Sequence, residues 1–103
     1  MTSENTQIKN LNFGEALAHL KNGYCVARDG WNGKDMWIAL GSGSVALEAE
    51  KFWNPHSRAH AEKMGGTAEV SPYIIFKTAD DKIQMGWQPS QADVLAEDWV
   101  IAK

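Results

Sequence analysis

Arg28-Asp29-Gly30-Trp31-Asn32-Gly33-Lys34-Asp35-Met36-Trp37 carries an Asn-Gly pair at its centre, and how that pair is read decides the fold. Asn-Gly tolerates the positive φ angles of tight turns, so the chain can reverse at Asn32-Gly33. Tyr24-Cys25-Val26-Ala27-Arg28 then reads as one strand, and Asp35-Met36-Trp37-Ile38-Ala39-Leu40 as its antiparallel neighbour. Such a hairpin aims Arg28 and Trp31 off the strand ends. Two indoles, a guanidinium and an amide so close together suit a flat ligand with a charged edge.

Upstream, Asn12 and Glu15 have the spacing of a capping box, and Phe13, Ala16, Leu17 and Leu20 form one apolar helical face. Asn22-Gly23 stops that helix. His19, beside Leu20, reads as a surface or rim histidine. Residues 1–11 read as a loose N-terminal extension and 12–103 as a single domain.

Downstream, Gly41-Ser42-Gly43-Ser44 breaks the pattern, and the residues on to Trp53 read as an irregular loop. Asn54-Pro55 starts a polar helix and Gly65-Gly66 ends it. His56 and His60 sit at i, i+4 on that helix, but two imidazoles without a third ligand do not make a stable metal site, so no metal is assigned. Pro72 to Thr78 and Lys82 to Trp87 read as a second hairpin around the acidic turn Ala79-Asp80-Asp81. Ser90 and Asp93 repeat the capping-box spacing ahead of a short helix, and Trp99-Val100-Ile101 returns as a last strand. The sum is α+β, an antiparallel sheet built from hairpins with an N-terminal amphipathic helix and short additional helices.

Composition narrows the function. A chain of 103 residues buries one core but makes a deep intramolecular pocket costly, so a site between subunits is expected. Ten Lys and Arg against thirteen Asp and Glu, a formal charge of −3, argue against a protein that grips a nucleic-acid polymer through its phosphates. The single Cys25 forms no internal bridge, and no long apolar run or secretory signal appears, which points to the cytosol and away from membranes. Five Trp in so short a chain are many, and some are expected to do more than fill a core.

Four blocks carry a resemblance. They are Asn12-Phe13-Gly14-Glu15-Ala16-Leu17, then Val26-Ala27-Arg28 with Gly30-Trp31-Asn32-Gly33, then Pro72-Tyr73-Ile74 with Lys77-Thr78-Ala79-Asp80, and finally Ser90-Gln91-Ala92-Asp93 with Leu95-Ala96-Glu97-Asp98-Trp99. In order and spacing the chain resembles the small phage proteins that form the second type of Thoeris anti-defence protein. The resemblance implies a compact α+β domain assembled as a homotetramer. It also implies a non-enzymatic sponge that holds intact the cyclic ADP-ribose signals made by bacterial TIR-domain proteins, in the cytoplasm of the infected host, so that the Thoeris effector is not activated. Some members also hold cyclic dinucleotides in separate pockets. Two departures stand out: residues 41–67 look like an insertion that compact members lack, and the usual glycine of the second hairpin turn is Asp81 here.

A trap for such a ligand needs an aromatic platform, polar partners for ribose, and a cation or N–H groups for phosphate. Trp31, Trp37 and Trp87 are the stacking candidates, each with core filling as its alternative, whereas Trp99 in an apolar strand reads as core. Arg28 is the phosphate candidate, with a surface salt bridge as the alternative. Asn32 and the Gly33 N–H can grip phosphate or a base edge, with a purely structural turn as the alternative. Ser90, Gln91 and Asp93 stand where a loop enters a helix, and simple helix capping explains Ser90 and Asp93 without any ligand. No cofactor is assigned. Two rival functions remain: a small nucleotide hydrolase using Glu15, Asp93, Glu97 or Asp98, and an interaction module that docks through exposed tryptophans.

Overall fold

A computed structural model describes residues 8–31 and 35–102. The fold is α+β, with helices α1 (Phe13–Lys21), α2 (Pro55–Lys63) and α3 (Gln91–Leu95), and strands β1 (Val26–Arg28), β2 (Trp37–Gly41), β3 (Ser44–Glu48), β4 (Thr67–Val70), β5 (Tyr73–Lys77), β6 (Ile83–Met85) and β7 (Trp99–Ile101). The chain divides into two compact units, one formed by residues up to Gly41 and from Ile74 onward, the other by Ser42–Tyr73.

The first unit holds a five-stranded sheet in the order β6-β5-β2-β1-β7. The expected first hairpin is there: Val26 of β1 faces Ile38 of β2 in antiparallel register. On its other side β1 pairs with the last strand, setting Val26 opposite Ile101, Ala27 opposite Val100 and Arg28 opposite Trp99. The second hairpin joins β5 to β6 in antiparallel register, Ile75 facing Met85. Asp81 fills the turn at φ 67°, a left-handed conformation that Asp tolerates better than most residues.

Helix α1 begins as its sequence predicts. The Asn12 side chain accepts from the Glu15 N–H at 2.8 Å and the Glu15 carboxylate accepts from the Asn12 N–H at 2.9 Å. Ala16 and Leu20 carry its apolar face into a core shared with Val26, Ile38 and Trp99. Full burial of Leu20, Val26 and Ile38 contributes roughly 1.5–3 kcal/mol each, so this cluster anchors the sheet. Part of the segment read as a loose extension is paired: Leu11 exchanges two backbone bonds with Trp99, at 2.9 and 3.1 Å, and the Ile8 carbonyl accepts from the Ile101 N–H at 3.0 Å. That pairing covers the outer edge of β7, which otherwise presents unpaired amides.

The second unit corrects the irregular loop expected between Gly41 and Trp53. Ser44–Glu48 is a strand, paired antiparallel with β4 through Ser44 and Val70, Leu47 and Ala68, and Glu48 and Thr67. A register shift between Ser44 and Leu47 leaves Val45 pointing into solvent, which erases the alternation a strand normally shows. Gly43, at φ +73°, turns the chain into β3 so closely that a Cβ there would run into the Val70 carbonyl. A 3-10 turn over Ala49–Lys51 follows, and α2 starts at Asn54, whose Oδ1 accepts from the His56 and Ser57 N–H groups at 2.9 and 3.1 Å. Ala49 and Ala61 are the buried residues that join turn and helix.

Candidate functional site

The residues singled out around the first hairpin meet the loop before β7 inside the first unit. Arg28 ends β1, and its Nε donates to Asp98 Oδ1 at 2.9 Å while its Nη1 donates to Asp93 Oδ1 at 2.9 Å. Asp93 is the third residue of α3 and does three jobs at once. Its Oδ2 accepts from both the N–H and the hydroxyl of Ser90 at 2.9 Å, its N–H donates to the Ser90 Oγ at 3.1 Å, and its Oδ1 also accepts from the Trp31 Nε1–H at 3.3 Å. Its backbone carbonyl accepts from the Trp99 indole at 3.0 Å. The capping alternative for Ser90 and Asp93 is thus realised, with Arg28 and Trp31 added to it.

These contacts set the charges. Burial pushes the Asp93 carboxyl up, but the Ser90 N–H, the Arg28 guanidinium, the Ser90 hydroxyl and the Trp31 indole outweigh it, so it sits below the usual carboxylate range. Hydrogen bonding from Arg28, opposed by burial and aided by the Gly30 N–H, likewise holds Asp98 low. The Arg28 guanidinium is held above its ordinary value by its hydrogen bonds to Asp98 and then Asp93. Two ionised carboxylates around one guanidinium leave the cluster with an excess negative charge. Among the described residues, no carboxylate accepts a hydrogen bond from the Nη2 of Arg28.

Beside this cluster lies an aromatic group with Trp31 at its hub. Trp31 stands edge-on to Trp99 (ring centroids 5.4 Å apart, planes at 78°), to Phe76 (5.7 Å, 74°) and to Trp87 (6.2 Å, 73°). Phe76 and Trp87 lie tilted against each other at 6.0 Å and 33°, and Phe13 of α1 packs on Trp99 at 5.4 Å. Edge-to-face geometry places the positive ring edge against a negative ring face, which stabilises each pair by about 0.5–1.5 kcal/mol beyond area burial. Trp31, Phe76 and Trp87 are half-buried against the core, whereas Trp99 is fully enclosed, as its strand position predicts.

The structure therefore brings together Arg28, Trp31, Trp87, Ser90 and Asp93. Trp37 is half-buried at the first position of β2 and stands outside the aromatic group; Gln91 is exposed at the first position of α3. Asn32 and Gly33 lie outside the described residues. Sequence reasoning missed two members. Asp98 enters the sequence reading only as an acid or base of the rival hydrolase, with a solvated corner as its alternative, and only the pairing of Arg28 with Trp99 shows that the residue before Trp99 faces the β1 turn. Phe76 carries no signal beyond an apolar strand position.

In the second unit, His56 and His60 line an open groove of about 360 Å³ with Phe52, Ser57, Ala68 and Glu69. Among the described residues no three or more His, Cys, Asp or Glu side chains are grouped so that they could hold a metal ion. Among the described residues, too, no helix is long and apolar enough to cross a membrane.

The sequence model of the Thoeris anti-defense 2-like domain matches residues 11–102. The chain belongs to the Thoeris anti-defense 2-like family. Within the Thoeris anti-defense 2 group, a protein of Bacillus phage SP01 named Thoeris anti-defense 2 is 48% identical to it over 91 residues, which span 88% of this chain and 93% of the phage protein. Family membership supports a phage anti-defence role and extends from Leu11, whose backbone closes the sheet edge, through β7.

Proposed function

We propose that this protein is a phage anti-defence sponge that binds cyclic ADP-ribose-type signalling nucleotides intact inside the infected bacterium and keeps them from the Thoeris effector. The observation that carries the reading is the 48% identity to the SP01 anti-defence protein over nearly its whole length. The half-buried Trp31, Phe76 and Trp87 supply ring surface for an adenine base, where stacking contributes about 1–3 kcal/mol per base in single-strand binders. Arg28, already paired to two carboxylates, reaches a phosphate through its Nη2 side, with Asn32 and the Gly33 N–H as further partners. Trp37, Ser90 and Gln91 complete the proposed surface. A homotetramer places residues of neighbouring subunits around the same ligand, and cyclic dinucleotides are the second ligand class.

Binding without turnover fits the carboxylate chemistry. An acid–base pair needs two carboxyls whose environments drive their pKa values apart, one of them upward. Asp93 and Asp98 are both driven down, so neither stands protonated near neutral pH to act as a general acid.

Isothermal titration of the purified protein with cyclic ADP-ribose isomers and cyclic dinucleotides tests the reading. Tight, saturable binding of at least one cyclic ADP-ribose isomer is expected. No binding across the panel overturns it and turns attention to the second reading, an interaction module, which the 88% exposure of Trp53 favours.

A further inference from the structure

Asp98, the residue ahead of β7, reaches across to three consecutive positions of the first hairpin. Its Oδ1 accepts from Arg28 Nε at 2.9 Å, its backbone carbonyl accepts from the Asp29 N–H at 3.0 Å, and its Oδ2 accepts from the Gly30 N–H at 2.8 Å. Trp31 comes next in the chain, and its own N–H donates back to the Arg28 carbonyl at 3.2 Å. The approach at Gly30 is close enough that a Cβ there would lie 2.7 Å from Oδ2, so a side chain at this position would displace the carboxylate from its present seat. The β1–β7 ladder runs through the pairs Val26 with Ile101, Ala27 with Val100 and Arg28 with Trp99, none of which needs the Asp98 carboxylate. Partly open to solvent, that carboxylate packs no core; it engages the turn and Arg28.

We propose that Asp98 is a positioning residue for ligand binding, holding Arg28, Asp29 and Gly30 so that the Arg28 guanidinium and the Trp31 ring present one arrangement before the ligand arrives. The role rests on the sponge reading given above. A turn released from this grip samples other conformations, and the apparent affinity falls by the fraction of molecules in the competent one.

The test compares wild type, Asp98→Asn and Asp98→Ala by titration and stopped-flow binding, using whichever cyclic ADP-ribose isomer wild type binds, together with amide hydrogen exchange of the unliganded proteins. Asn keeps an acceptor for the Gly30 N–H and loses the charge pair with Arg28; Ala loses both; the backbone bond to Asp29 survives in each. The expected order of affinity is wild type, then Asn, then Ala, with a loss of about tenfold or more for Ala, seen chiefly in the association rate, and faster exchange of the Gly30 amide. A merely structural role lowers the melting temperature but leaves affinity unchanged where the variants are folded, and that result overturns the proposal. Should the Ala variant fail to fold, the Asn variant decides by the same criterion. If wild type binds no member of the panel, the sponge reading falls and the role of Asp98 falls with it; unchanged affinity in the variants of a binding wild type removes the role of Asp98 alone.

Discussion

Arg28 and Asp93 are joined across 65 positions of chain, Nη1 of the guanidinium donating to Oδ1 of the carboxylate at 2.9 Å. That one oxygen also takes the Trp31 indole, so strand end, aromatic hub and helix cap share an acceptor. With only 9% of Asp93 exposed, its charge depends on these donors. Replacing Arg28 by Ala strips the cation from two carboxylates; the expected loss is about 2–3 kcal/mol, read from urea denaturation, and an unchanged midpoint contradicts the role assigned to the pair.

Asp93 and Asp98 both sit below the usual carboxylate range in the folded protein, Asp93 because donors from Ser90, Arg28 and Trp31 overcome its burial, Asp98 chiefly because of Arg28. A depressed folded pKa gives stability that is fully present above the unfolded value and is lost as pH falls through the folded one. The melting temperature is therefore expected to fall more steeply below about pH 4 in wild type than in the Asp93→Asn, Asp98→Asn double variant. Asp80, lowered by hydrogen bonds from Thr78 and then Lys82, acts in the same direction in both proteins and cancels in the comparison. Parallel acid limbs contradict the account.

Tryptophans at different depths should respond differently to truncation. Trp31→Ala removes the hub of the aromatic group and is expected to cost about 3–5 kcal/mol, whereas Trp53→Ala, at a position 88% exposed, should change stability by less than about 0.5 kcal/mol. Equal losses in chemical denaturation contradict the packing described.

Gly43 is constrained twice, by φ +73° and by the Val70 carbonyl where a Cβ would stand. Gly43→Ala should destabilise the β3–β4 hairpin by more than about 1 kcal/mol, seen as faster amide exchange in Ser44–Val70 with little change in α1. Protection equal to wild type contradicts that account.

The helices of both units were legible because their signals are local. Asn12 with Glu15, Asn54 with Pro55, and Ser90 with Asp93 are capping patterns whose chemistry is complete within a few residues, and each helix starts where they place it. Strand β3 was not legible, since its register shift turns Val45 outward and spoils the period of two on which strand reading depends. The site was half legible. Arg28, Trp31 and Trp87 stand out by residue type, but their convergence with Asp98 and Phe76 follows from strand order, and antiparallel pairing of β1 with a strand some 70 residues later leaves no mark in local sequence.

The most direct test of the central claim is the fate of the signal. Protein and a cyclic ADP-ribose isomer that it binds are incubated together, the protein is heat-denatured, and the released nucleotide is quantified by chromatography and mass spectrometry. The ligand is expected to come back chemically intact, in an amount proportional to the protein added, and again to activate the Thoeris effector. Recovery of a hydrolysed or ring-opened product in more than stoichiometric amount contradicts the claim and makes the protein an enzyme.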